Sequence, residues 1–153
     1  MVLASASIGT VALSALTSGP AAATALPNPC TVLGAAHAQS TIARGRHVNV
    51  GPVKVSTTTP SYKACSQVVG SITVYLGVSA FLGGSGGIRV TSVTHPTGLG
   101  PGDELTVGKA MGSGGPVDVI VFHKGGAYVT ISANGASPGN LTALARQVYR
   151  SLH

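Results

Sequence analysis

Apolar and polar residues alternate through much of the middle of the chain, and this period of two is the pattern of half-buried β-strands. It is clearest over residues 71–82, where every second residue from Ile72 to Val78 is aliphatic. The same alternation predicts further strands over residues 48–55, 88–93, 105–107, 117–122 and 127–132. The last two flank His123-Lys124-Gly125-Gly126, a sequence typical of a tight hairpin.

Helical spacing replaces this alternation on both sides of the strands. Residues 32–44 place apolar side chains on one helical face, and Gly45 follows as a natural stop. Over residues 141–152 apolar residues recur every three or four positions, after a candidate N-cap at Ser137 and Pro138 at the first helical position. The order predicts an α+β fold, in which an antiparallel sheet of about five to six strands carries an N-terminal and a C-terminal helix packed on one face.

The first 25 residues do not fit this domain. They carry no charged side chain, and their apolar stretch over residues 8–16 is shorter than the roughly 20 residues that span a bilayer. Residues 23–25, Ala-Thr-Ala, match the small-x-small pattern that precedes signal-peptidase cleavage. We therefore expect residues 1–25 to be a signal peptide or a disordered leader, cleaved near Ala25, and residues 26–153 to form a single exported α+β domain.

This leader lacks the Lys or Arg that a secretory signal normally carries near its start. Either Met1 is internal to a longer leader, or the signal is an unusual one. A disordered N-terminus on a cytosolic protein is the alternative to export.

Cys30 and Cys65 are the only cysteines in the chain. In an exported protein an even number of cysteines indicates a disulfide bond. Zinc binding is the alternative, but neither cysteine lies in a CxxC motif or near a spaced pair of histidines. We predict a Cys30–Cys65 disulfide that closes a loop of about 36 residues.

Few residues are charged, and most of these are basic, with 9 Lys and Arg against 3 Asp and Glu. So few carboxylates argue against hard-cation sites and against paired-carboxylate catalysis. Four of the basic residues fall between the first predicted helix and the second cysteine, and we expect them to form one binding patch: Arg44, Arg46, Lys54 and Lys63.

An anionic cell-envelope polymer or a lipid headgroup is the expected partner of this patch. Nucleic acid is not expected, because the basic segment lacks interleaved aromatic residues and no recognition motif occurs. A solvated basic face without a ligand is the alternative.

Two serine motifs suggest hydrolytic chemistry. Ser85 stands in a GxSxG string, and Ser113 stands in Gly-Ser-Gly-Gly-Pro, after an Ala-Ala-His at His37 and an acid at Asp103. The sequence context argues against both motifs. Residues 88–91 continue as a strand, where the GxSxG motif needs a helix. His37 and Ser113 are also only about 75 residues apart, too close for a double-barrel protease. A small secreted serine hydrolase using Ser113 or Ser85 is therefore the alternative function.

Several of these residues together resemble a family of small exported actinobacterial proteins, often lipoproteins, classed as a domain of unknown function. Its members open the first helix with Pro-Cys and an aliphatic pair, as residues 29–33 do here, and carry a second cysteine in a strand, like Cys65. A Gly-Leu-Gly run and a closing Leu-Ala-Arg helix follow, as at residues 98–100 and 144–146. The resemblance implies the disulfide and the architecture, and it implies no activity. This chain reads Ser-Gln at residues 66–67, where the family often has Trp.

We predict an exported, non-catalytic binding or cell-envelope accessory protein with an anionic ligand. The five histidines form no HxH or HExxH motif, and we predict neither a metal site nor a cofactor.

Overall fold

The computed structural model describes residues 25–44, 46–81, 90–94, 99, 105–112 and 115–152. The predicted leader lies outside these residues, apart from Ala25. No helix in the described part of the chain is long and apolar enough to cross a bilayer. In chain order the elements are α1 (Pro29–Ala35), α2 (Ala38–Ile42), β1 (Lys54–Thr58), β2 (Tyr62–Val69), β3 (Ile72–Ser79), β4 (Val90–Thr94), β5 (Leu105–Gly112), β6 (Gly115–Lys124), β7 (Ala127–Asn134) and α3 (Pro138–Ser151).

The strands form one antiparallel sheet in the spatial order β1-β2-β3-β7-β6-β5-β4. The β6–β7 hairpin turns at Gly125 and Gly126, which both have positive φ, as a type I′ turn requires. These glycines connect the paired residues Lys124 and Ala127, so the predicted hairpin is confirmed. Because β7 also pairs with β3, the two hairpins β2–β3 and β6–β7 lie side by side in the middle of the sheet.

The helices cover one face of this sheet. Helix α1 contacts β2 and β3, α3 contacts β6 and β7, and α2 packs against α3. Leu33 from α1, Leu76 from β3 and Leu144 from α3 are fully buried in the core between the two layers. The predicted α+β class, with an N-terminal and a C-terminal helix on one face, is confirmed.

The sheet has one strand more than the hydrophobic pattern predicts, and the additional strand is β2. Its neighbouring residues Ala64 and Cys65 are both buried, although successive side chains of a strand point to opposite faces. The sequence of β2 therefore lacks the alternation by which the other strands were predicted.

The strand predicted over residues 48–55 is displaced along the chain. Val48 and Val53 are half-buried against the core, which explains the alternating pattern. Regular pairing with β2 begins only at Lys54, however, and every residue of β1 is exposed. The valines thus indicate packing at the edge of the core rather than the hydrogen-bonded strand itself.

The first predicted helix is two short helices. The chain breaks at His37, which has a φ of +46° and is the N-cap residue before α2. A continuous helix would separate Ala36 and Ala38 by about 200° around its axis. Both alanines are 1% exposed, so the break is what lets both face the core.

The last helix begins as predicted. The Ser137 side chain accepts a hydrogen bond from the backbone N–H of Asn140 at 3.3 Å, and Pro138 occupies the first turn. The buried face of α3 consists of Leu141, Leu144, Ala145 and Val148.

The predicted Cys30–Cys65 disulfide is present and joins α1 to β2, with the two Cα atoms 5.2 Å apart. Helix α1 is 7 residues long, which is too short to be stable alone in water. The covalent link therefore fixes α1 against the edge half of the sheet.

We expect the double substitution Cys30→Ala and Cys65→Ala to lower the free energy of unfolding by about 3–4 kcal/mol, because the unfolded chain loses a crosslink over 35 residues. Urea denaturation monitored by circular dichroism measures the change. Wild-type protein unfolded in the presence of dithiothreitol should show the same loss. A change below about 1 kcal/mol in both would show that the crosslink does not stabilise the fold.

On the face away from the helices, Tyr62 covers Gly77. A Cβ atom at Gly77 would come within 2.7 Å of the Tyr62 hydroxyl, so only glycine leaves room for this ring. Burial of the Tyr62 phenol raises its pKa above the usual value, because the charged form loses hydration.

We expect Tyr62 to weaken the fold at alkaline pH. Because its pKa is higher in the folded than in the unfolded protein, the unfolded chain loses the phenolic proton first, and stability falls as the pH rises through the folded pKa. Tyr62→Phe should therefore lose less stability than wild type between about pH 8 and about pH 11 in urea denaturation. Tyr75→Phe, at a position that is 47% exposed on the same face, is the control and should behave as wild type. Equal losses in Tyr62→Phe and wild type would contradict this assignment.

Candidate functional site

The segment between α2 and β1 is held against the end of the β2–β3 hairpin. Val50 forms an isolated bridge with Val69, and the Gly51 N–H donates to the Val68 carbonyl at 2.8 Å. On the other side of the bridge, the Gly70 N–H donates to the Asn49 carbonyl at 2.8 Å. These contacts fix the basic residues just before this point at one end of the molecule.

The start of α3 meets the same segment. The Asn140 side-chain amide donates to the Ile42 carbonyl, the last residue of α2, at 3.2 Å. The Nη2 atom of Arg44 lies 3.7 Å from the position that a Cβ atom at Gly139 would occupy. The end of α2, the hairpin turn and the start of α3 therefore converge.

A cavity of about 440 Å³, here called the arginine cleft, lies where they converge. Its walls combine aliphatic side chains with two guanidinium groups and the first turn of α3. The lining residues are Ile42, Ala43, Arg44, Arg46, Val48, Val69, Gly70, Ser71, Ile72, Gly135, Ala136, Ser137 and Asn140.

The arginine cleft is positively charged without a compensating carboxylate in the described residues. Asp118 is the only acidic residue among them, and its carboxylate is bound by Lys109 at 2.7 Å. The first turn of α3 contains no acidic residue, so the positive end of the helix dipole adds to the two arginines.

Backbone strain occurs at both ends of α2, and one of the two strained residues lines this cleft. Arg44 and His37 both have a φ of +46°, and they are the non-glycine residues with positive φ in the described chain. An L-residue in the left-handed region costs about 1–2 kcal/mol. Gly45, the predicted stop, lies outside the described residues, and the left-handed position after α2 is taken by Arg44. Such strain is typical of positions where the side chain serves a function.

Asn140, which lines the cleft, has one buried side-chain atom without a hydrogen-bond partner. Its Nδ2 atom is bound to Ile42, but its Oδ1 atom is buried and has no partner. A carboxamide oxygen only accepts hydrogen bonds, so a donor is needed there. The sequence alone does not identify Asn140, because nothing in the local pattern distinguishes it from other polar positions of the helix start.

A second cavity of about 610 Å³ adjoins the arginine cleft, since Arg46 lines both. We call it the histidine pocket, because two exposed histidines stand in its wall. The lining residues are Gly34, His37, Ala38, Gln39, Ser40, Arg46, His47, Val50 and Gln67.

The structure brings together two of the four predicted binding residues. Arg44 and Arg46 share the arginine cleft. Lys63 lies on the helix-covered side of β2, with its Nζ atom 3.5 Å from the Leu26 carbonyl, and lines a groove beside the disulfide. Lys54 pairs with Ser66 on the opposite side of the sheet. Strand alternation therefore separates residues that are close in sequence.

The hydrolase hypothesis depends on Ser85, Ser113 and Asp103, which lie outside the described residues. Of the described histidines, His123 packs on the Tyr128 ring, with a centroid separation of 4.6 Å. The described residues contain no group of three or more His, Cys, Asp or Glu side chains that could hold a metal ion.

No family model, curated protein or solved structure matches the chain. The candidate site therefore stands on its geometry and charge.

The strain at Arg44 makes a prediction about stability. Arg44→Gly and Arg44→Ala both remove the guanidinium group, but only glycine relieves the left-handed backbone. We expect the glycine variant to be more stable than the alanine variant by about 1 kcal/mol in urea denaturation.

Arg46 provides the control, because its φ is not positive. There Arg46→Ala should be more stable than Arg46→Gly, since glycine has more backbone freedom to lose on folding. If the alanine variant is more stable than the glycine variant at both positions, Arg44 is not strained.

Proposed function

We propose that the protein is an exported, non-catalytic binding module of the cell envelope, and that the arginine cleft holds a phosphate group of its ligand. The observation that carries the proposal is the pair Arg44 and Arg46 in one cavity, with no acidic partner in the described chain. Guanidinium groups bind phosphate with paired, charge-assisted hydrogen bonds. The first turn of α3 supplies further positive potential at the same place.

The remaining groups of the cleft favour an organic phosphate over a free ion. The Ser71 and Asn140 side chains line the same cavity and offer polar groups to the hydroxyls of a ligand. Val48, Val69 and Ile72 line the same cavity and suit the carbon skeleton of an ester. A phosphate ester of a polyol satisfies all three features.

Export is supported by two independent features. The Cys30–Cys65 disulfide is of the kind that persists in oxidising compartments. The first 25 residues are apolar and end in Ala-Thr-Ala, the small-x-small pattern that precedes signal-peptidase cleavage, although they lack the usual basic residue near the start. The disulfide also agrees with the proposed relationship to the actinobacterial family of exported proteins.

Glycerol 1-phosphate is the probe for this site, because it carries a phosphate group and hydroxyl donors. We expect Arg44→Gly or Arg46→Ser to weaken its binding at least about tenfold in isothermal titration at low ionic strength, since each removes charge-assisted hydrogen bonds worth about 1.5–3 kcal/mol.

Lys54→Ser is the matched control, because it removes the same charge from the opposite side of the sheet. Its affinity should stay within about twofold of wild type. Equal weakening in all three variants would show that the net charge, and not the cleft, attracts the ligand. Absence of binding by wild type would overturn the proposed function.

A further inference from the structure

The arginine cleft and the histidine pocket are two compartments of one basic groove. The segment of residues 46–50 separates them, because Val48 lines the arginine cleft, whereas His47 and Val50 line the histidine pocket. Arg46, at the start of this segment, lines both. A ligand that crosses the segment at Arg46 reaches both compartments.

The histidine pocket, like the arginine cleft, is lined by basic side chains. Its ionisable side chains are Arg46, His37 and His47, and no carboxylate lines it. Imidazole groups donate hydrogen bonds when neutral and carry positive charge when protonated. The pocket therefore suits a second anionic group.

The dimensions and the strain support two occupied compartments. Volumes of about 440 and 610 Å³ each fall in the range of small-molecule sites, roughly 300–1,000 Å³. One residue with positive φ stands in each compartment, Arg44 in the cleft and His37 in the pocket. The two ends of α2 are thus both strained where they face the groove.

On the basis of the proposed function, we propose that the ligand is a linear polymer of polyol phosphodiesters. One phosphate lies in the arginine cleft and the next in the histidine pocket, with Arg46 between them. A chain fits this arrangement better than a phosphatidylglycerol headgroup, because that headgroup presents a single phosphate at the surface of a bilayer. Occupying two linked sites raises the overall affinity without any new kind of contact.

The experiment compares a synthetic linear trimer of glycerol phosphate with the monomer, glycerol 1-phosphate, by isothermal titration. Wild type should bind the trimer at least about tenfold more tightly than the monomer. The double variant His37→Asn and His47→Gln should lose this advantage while binding the monomer as wild type does. Asparagine is chosen at residue 37 because it tolerates positive φ.

His123→Gln is the matched control, because this exposed histidine lies against Tyr128, outside both compartments. It should retain the full advantage of the trimer. Retained monomer binding in the double variant also verifies that its fold is intact.

Two results would overturn the inference. In the first, wild type binds the trimer no more tightly than the monomer, although monomer binding still depends on Arg44; the proposed function then stands and the polymer is wrong. In the second, wild type binds phosphatidylglycerol vesicles more tightly than the trimer, and the double variant binds them equally well. Loss of monomer binding itself would instead remove the proposed function.

Discussion

The disulfide between Cys30 and Cys65 is the constraint on which the position of the basic groove depends. Helix α1 is too short to hold its place by backbone hydrogen bonds, and the crosslink ties it to β2. Helix α2 follows directly, and its last carbonyl is bound by Asn140 of α3. The strained segment that carries Arg44 and Arg46 follows this crosslinked helix pair. It lies between two hydrogen-bonded points, Ile42 at the start of α3 and Val50 at the β2–β3 hairpin.

The groove lies where elements end, and this location explains its chemistry. The end of α2, the β2–β3 turn and the start of α3 bring backbone ends and polar side chains together, while the core behind them is aliphatic. Helix ends leave backbone groups without partners inside the helix, so polar ligands are favoured there. Stability and the proposed binding conflict at Arg44, because the backbone there would be relaxed by glycine but the proposed phosphate ligand needs a guanidinium group.

Local patterns and tertiary packing account for different parts of the fold. Strand β3 and helix α3 were both predicted from a burial pattern within one element, the alternation around Leu76 and the helical spacing after Ser137. Both predictions are confirmed. The hydrophobic pattern did not predict strand β2, because Ala64 and Cys65 are both buried, against the period of a strand. It did not predict the break at His37, because the burial of Ala36 and Ala38 depends on the layer beneath them.

The sequence by itself determined the α+β class, the disulfide partners and the basic character of residues 44–63, since these follow from hydrophobic period, cysteine number and charge. Only the tertiary structure decided which charges act together. It placed Arg44 and Arg46 in one cavity and Lys54 on the other side of the sheet. It also added Asn140, 94 residues after Arg46 in the chain (140 minus 46). The physical reason is that side-chain direction depends on strand register and helix packing, which nearest neighbours in sequence do not specify.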